Sequence, residues 1–238
     1  EGIDLAQKRS AKLDPRLAAT AALVRSDAIF ADIGCDHGYL AIELMRRGAV
    51  RGYACDINPG PLASAQKNIE QAGFSAQIQT VLTDGLQGLE QYPITDVTIA
   101  GIGGEVITDI LKQAAFLKKP GIRLILQPQS REHILRSFLF ENGFPIFHEQ
   151  ALRSGRYTYV VFAAEYTGEC RKLSLLESYC GMLPEQHTAE SKEKLLRTAG
   201  FIKDIAEGLS HRGNAEEAAQ LLTVYQQILT ITDNLLNN

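Results

Sequence analysis

Apolar positions along the chain follow two periods, and their alternation predicts most of the elements. Residues 28–31 (AIFA) are a short apolar run, read as a buried strand that ends near Asp32. A glycine turn, Gly34-Cys35-Asp36-His37-Gly38, follows, and Leu40, Ile42, Leu44 and Met45 then recur as on a helix. The same unit repeats. Strands are expected at 50–56, 76–82, 96–100 and 122–127, separated by helical patterns and glycine stops such as Gly73. A helix over about 131–141 ends at Asn142-Gly143. Residues 144–152 and 157–164 alternate instead, and the short link Arg153-Ser154-Gly155-Arg156 makes them an antiparallel hairpin. Five strand–turn–helix units predict an α/β domain with a doubly wound, mostly parallel sheet.

Both ends differ from this middle. Residues 1–25 carry Lys8, Arg9, Lys12, Arg16 and Arg25, with Leu5, Leu13, Leu17, Ala18, Ala21 and Val24 free to dock. Asp14 as N-cap and Pro15 at the first helical position restart a helix there. Its basic face suits a phosphate backbone, and equally suits plain solvation. From about Glu185, Leu195, Ala199, Ile202, Ala206 and Leu209 lie three and four apart. His211-Arg212-Gly213-Asn214 breaks the pattern, which resumes through Leu221, Tyr225 and Ile228. The expectation is an antiparallel, coiled-coil-like helical hairpin. A division into residues 1–168 and 169–238 follows from this change of character.

Strand ends carry the candidate chemistry. In open α/β sheets ligands bind beyond the carboxyl ends of the strands. Here three successive strands finish in Asp32, Asp56 and Asp84. A dinucleotide turn needs a second glycine where Asp36 stands, and Asp32 with Asp36 would repel a pyrophosphate. S-adenosylmethionine, with a sulfonium, an amino group and no phosphate, suits these acids, although a turn capped by its own acid side chains would look the same. Asp56 lies close to the offset at which a strand-end acid meets a ribose. Three glycines in the run Gly101-Ile102-Gly103-Gly104 let a flat ligand approach the main chain.

Composition changes the picture only a little. A net charge of −4 over 238 residues does not advertise nucleic-acid binding. No apolar run approaches the roughly 20 residues of a membrane helix, and no signal-peptide pattern opens the sequence, so a cytoplasmic protein is expected. Cys35, Cys55, Cys170 and Cys180 lie far apart, which is neither a zinc nor a disulfide pattern.

The linked motifs ADIGCDHGYL, Asp84-Gly85-Leu86, DVTIAGIGGEVI and RLILQPQ, with RSGRYTYVV and the helical tail, closely resemble the bacterial TrmK family over roughly residues 12–236. The resemblance implies a Rossmann-like methyltransferase with a seven-stranded sheet of order 3-2-1-4-5-7-6. It implies methylation of N1 of adenine 22 in the D-arm of tRNA, from S-adenosyl-L-methionine to S-adenosyl-L-homocysteine, with no metal and no obligate protein partner. Carried over by position, Asp32, Ile33, Gly34, Cys35, Asp56, Ile57, Asp84, Gly85, Ala100 and Gly101 would hold the cofactor. Arg16, Tyr39, Gly103 and Gly104 would meet the RNA. Asp36 and His37 are the catalytic candidates; the alternative for His37 is a helix cap. Two other readings stay open: methylation of a small molecule or another RNA, and a non-catalytic cofactor-binding RNA module.

Overall fold

A computed structural model describes residues 13–235. Strands β1 (Ile29–Ile33), β2 (Arg51–Asp56), β3 (Ile78–Leu82), β4 (Asp96–Ile102) and β5 (Arg123–Pro128) follow one another with a helix in each link except that from β3 to β4, where only a 3₁₀ turn (Leu89–Gln91) stands in place of the expected helical unit. The linking helices are α2 (Tyr39–Arg46), α3 (Pro59–Ala72) and α4 (Gly104–Lys112), with α1 (Pro15–Leu23) ahead of the sheet. Helix α5 (Glu132–Glu141) leads into the hairpin of β6 (Ile146–Ser154) and β7 (Tyr157–Glu165). The seven strands lie in the order β3-β2-β1-β4-β5-β7-β6. The first five are parallel, while β7 pairs antiparallel with both β5 and β6. This is the expected order.

Alternation along the strands gives the sheet two dry faces. In β1, Phe30 faces a cluster with Leu40, Leu44 and Ile69 of α2 and α3, while Ala31 and Ile33 face the opposite cluster. That opposite cluster continues through Ile99 and Leu124 to Leu135 of α5. It then runs on into the last two helices, α7 (Ala189–His211) and α8 (Ala215–Asn234), through Leu195, Ile202 and Ile228. The apolar stripe of the tail is therefore buried partly against the sheet domain, not only between the two helices.

Three further details differ from the sequence expectation. The hairpin turn is Gly155-Arg156 alone, because Ser154 and Tyr157 still pair. The tail opens with a 3₁₀ turn at Leu183–Glu185, and α7 starts at Ala189 with Thr188 as its cap. A six-residue helix, α6 (Leu175–Cys180), was not expected; its signal was the capping box Ser174 to Glu177, whose two reciprocal bonds are both made. The proposed N-terminal basic residues Lys8, Arg9 and Lys12 lie outside the described residues. Asp14 does cap α1, accepting from the Arg16 N–H at 2.8 Å.

Candidate active site

The carboxyl ends of β1, β2 and β4, the turn after β3 and the start of α1 surround a cleft of about 620 Å³. Its floor is Asp32, 3% exposed, one residue from the end of β1. Strand pairing sets Asp32 opposite Thr98 of β4, and Thr98 Oγ1 donates to Asp32 Oδ1 at 2.9 Å. Burial pushes the Asp32 carboxyl up to about 7; the nearby Asp56 charge adds to the rise and the Thr98 hydroxyl opposes it.

The glycine turn is stitched to β2. Gly34 N–H and Cys35 N–H both donate to the Cys55 carbonyl at 2.9 Å. Asp56 receives two backbone donors, Asn58 N–H at 2.8 Å on Oδ1 and Asp36 N–H at 3.3 Å on Oδ2. Its orientation is thus fixed by the chain on both sides. The Cys35 and Cys55 thiols are buried and pushed up by desolvation and by the neighbouring aspartates, so they are packed groups rather than nucleophiles.

Asp36 stands at the cleft mouth with a left-handed backbone, φ 48°. Aspartate tolerates that region better than most side chains, and an observed outlier beside a cleft is a functional pointer. Its side chain is 71% exposed, and His37 Nε2 lies 3.7 Å from Asp36 Oδ1. The His37 ring is 5.8 Å from the Tyr39 ring, and Asn68 holds the His37 carbonyl at 2.9 Å. Tyr39 itself is exposed.

On the other wall, β4 carries a bulge: Ala100 pairs with Gln127 and Ile102 with Pro128, leaving Gly101 over. Gly101 adopts φ 81°, which glycine takes without strain. Its N–H donates to the buried Gln127 Oε1 at 3.2 Å, while Gln127 Nε2 donates to the Pro128 carbonyl. Arg16 reaches the cleft from α1, held by Asp14 at 2.9 Å and lying 5.1 Å over the Tyr159 ring. Among the described lining residues it is the single fixed cation.

All the predicted site residues line this cleft except Gly103 and Gly104. Gly103 caps α4, and Gly104 is buried where the chain entering α5 crosses it, its N–H donating to the Ser130 carbonyl at 2.8 Å. A Cβ on Gly104 would sit 2.6 Å from the Arg131 carbonyl oxygen, so close approach explains this glycine. Gln127, Gln129, Val106 and Asn58 also line the cleft and were not singled out from the sequence. The signal for the first two was the Gln127-Pro128-Gln129 end of the fifth strand. Among the described residues no group of three or more His, Cys, Asp or Glu side chains could hold a metal, and no helix is long and apolar enough to cross a membrane.

Comparison with known proteins agrees with this geometry. A family model described as a methyltransferase domain matches residues 13–162. The tRNA (adenine(22)-N(1))-methyltransferase of Bacillus subtilis is 29% identical over 93% of this chain and 88% of its own length. The crystal structure of Streptococcus pneumoniae Sp1610 is 32% identical, with a TM-score of 0.81 over 92% of this chain and 99% of that one. A second structure of Sp1610 is a complex with S-adenosyl-L-methionine; it is 32% identical, with a TM-score of 0.78 over 91% of this chain and 98% of that one. TrmK of M. capricolum, in complex with S-adenosyl-homocysteine, is 26% identical with a TM-score of 0.71 over 94% and 97% of the two chains. By the matched domain, the strand order and these relatives, the chain belongs to the methyltransferase domain family and, within it, to TrmK.

Proposed function

We propose that this protein methylates N1 of adenine 22 in the D-arm of tRNA, using S-adenosyl-L-methionine and leaving S-adenosyl-L-homocysteine. The observation that carries the reading is the row of Asp32, Asp56 and Asp84 around one cleft beside a single arginine. Such a cleft repels phosphates and suits a cationic ligand rich in hydrogen-bond donors. In this reading Asp32, with Ile33, Gly34 and Cys35, holds the methionine part, and its carboxylate faces the ligand's positive charge. Asp56, already oriented by two N–H groups, keeps lone pairs for ribose hydroxyls, with Ile57 alongside. Asp84 and Gly85 receive the adenine amino group, and Ala100 with Gly101 lines the opposite wall.

The bound cofactor supplies a methyl group on a sulfonium. Neutral adenine has an in-plane lone pair at N1, so the protein's task is positioning rather than deprotonation. N1 lies on the pairing edge, and the base must leave its stack to react. Tyr39, 47% exposed, and Val106, 52% exposed, give the cleft mouth an apolar rim against which a purine can rest. Methylation leaves the purine cationic, and Asp36 at the same mouth stabilises that charge. His37, beside it, orients the Asp36 carboxylate or takes a proton from the exocyclic amine. Arg16 meets the RNA backbone. In this reading the protein works in the cytoplasm, where its tRNA substrate is. Residues 1–168 are, on the same reading, the catalytic part and 169–238 the helical part.

The test is direct. Purified protein is incubated with labelled S-adenosyl-L-methionine and unmodified tRNA, and the methylated nucleosides are mapped by digestion and mass spectrometry. N1-methyladenosine at position 22 is expected. Cofactor binding with no tRNA methylation across several tRNAs would overturn the reading in favour of another substrate or a non-catalytic module.

A further inference from the structure

A second cavity, of about 440 Å³, lies between the start of α5 and helices α6 and α7. It shares one residue with the cofactor cleft: Gln129 lines both. The two spaces are therefore neighbours. Four of its described lining side chains are cationic, Arg131, Arg136, Lys194 and Arg197, against one acid, Glu132. Glu149 matches Arg136, and Glu132 matches Lys194, both well inside the fold. Arg131 and Arg197 are exposed, each with an acid beside it that is itself open to solvent or only half-buried: Glu105 lies 3.9 Å from Arg131 and Glu193 3.0 Å from Arg197.

Aromatic groups complete the wall. His133 stacks on Tyr179 with ring centroids 4.4 Å apart and planes at 18°. Burial pushes the His133 imidazole down to about 4, so near pH 7 the pair is a neutral stacked surface. Opposite, Phe201 of α7 leaves 41% of its surface exposed, with the Arg131 guanidinium 5.5 Å from its ring centroid. Arg131 is held in a left-handed conformation, φ 58°, at the start of α5, and no side chain caps that helix. A flat ring with a cation beside it, next to an uncapped helix start, matches a nucleotide: the base stacks and the phosphate meets the charges.

We infer that this cavity seats the nucleotide next to the target adenine, with its base on Phe201 and its phosphate on Arg131 and Arg197. The inference rests on the RNA-methylating reading of the neighbouring cleft. It has a geometric reason. A flipped base lies in one pocket while the chain on either side must continue across the surface, and Gln129 lines both this cavity and that pocket. Holding the neighbour fixes the flipped base in register without further contacts to the base itself.

The experiment uses the full chain, unmodified tRNA, and the variants Phe201→Leu, Phe201→Tyr and Arg131→Gln. Binding to tRNA is measured by filter retention across a salt series, apart from catalysis, together with KM for tRNA, affinity for S-adenosyl-L-methionine and thermal melting. Phe201→Leu should weaken tRNA binding and raise KM about tenfold, as loss of one stacked base does. Phe201→Tyr should restore both. Arg131→Gln should lower the salt slope of tRNA binding by about one. Cofactor affinity and melting should stay at wild-type values throughout. Tight tRNA binding by Phe201→Leu and Arg131→Gln, within about twofold of wild type, would overturn the inference. If wild type binds tRNA without methylating adenine 22, the functional reading fails while the variants still decide this cavity. If wild type does not bind tRNA at all, both fall.

Discussion

Thr98 and Asp32 face each other across neighbouring strands, and the hydroxyl of one donates to the carboxylate of the other at 2.9 Å. That contact moderates an acid which burial pushes up to about 7. In the unliganded fold Asp32 therefore holds its proton up to about pH 7, whereas in the unfolded chain it loses it near 4. Its contribution to stability declines as pH rises between those values, and a cationic ligand acts in the opposite direction by favouring the ionised form. Affinity for S-adenosyl-L-methionine should rise with pH to about 7 and then level off. Thr98→Val removes the donor at nearly constant shape. It should cost about tenfold in affinity at pH 7 and move the plateau to higher pH. Titration calorimetry over a pH series measures both; flat affinity from about pH 5.5 to 8.5 would remove Asp32 from the binding charge.

Asp36 sits at the mouth of the same cleft, and the catalytic role proposed for it can be separated from cofactor binding. Asn keeps the size of the side chain and accepts the left-handed backbone at φ 48°, so Asp36→Asn should fold normally. On the proposed role, losing the charge should lower kcat about 10²-fold and leave cofactor affinity unchanged. Single-turnover rates, with enzyme in excess over tRNA and saturating cofactor, report the step directly. An unaltered rate would assign the charge-stabilising role to another group.

Much of this site was legible before any coordinates, and the reason is local. Asp32 and Asp56 lie at the ends of β1 and β2 and Asp84 in the turn after β3, and the fold places these strand ends together regardless of packing detail. What escaped the sequence depends on contacts between distant segments. Gly103 and Gly104 look like the glycines that let a ligand approach, yet Gly104 answers to the 130–131 backbone, which only the packing of α4 beside α5 brings there. Gln127 is a polar residue at the end of an apolar strand, and its value comes from the bulge at Gly101, which alternation cannot reveal. The stripe on α7 announced a helix but not the sheet domain that covers part of it.

Gly104 offers a test whose sign decides. At the start of a helix alanine is ordinarily the better residue, so Gly104→Ala in open space would stabilise. Here an added Cβ lies 2.6 Å from the Arg131 carbonyl oxygen and 2.9 Å from that of Ser130. The 130–131 segment would have to move, at a cost of about 1–3 kcal/mol. A fall of several degrees in Tm is expected by differential scanning calorimetry. A rise would show that the chain entering α5 yields freely.

The end of α6 is anchored to the sheet domain by a buried ion pair. Arg136 of α5 and Glu149 of β6 are 1% and 0% exposed at the side chain, with 2.6 Å between Nη2 and Oε1. Arg136 Nη1 also donates to the carbonyls of Ser178 and Tyr179, while Glu149 Oε2 accepts the Met182 N–H at 2.9 Å. One pair thus ties the C-terminal end of α6, and the chain just beyond it, to the sheet domain. Gly181 passes so close that any Cβ there would overlap the Glu149 carboxylate and the Arg136 guanidinium. Glu149→Gln leaves the guanidinium buried without its counter-charge and should lower stability by about 3–5 kcal/mol in denaturant titrations. Replacing both partners, Arg136→Met with Glu149→Leu, removes the stranded charge and should recover part of that loss, though the Ser178 and Met182 backbone groups lose their partners. Limited proteolysis gives an independent reading: Glu149→Gln should open cleavage around α6 before the sheet domain is cut, and the double variant should protect it. Equal or greater loss in the double variant would mean that the backbone bonds, not the charge balance, hold α6 in place.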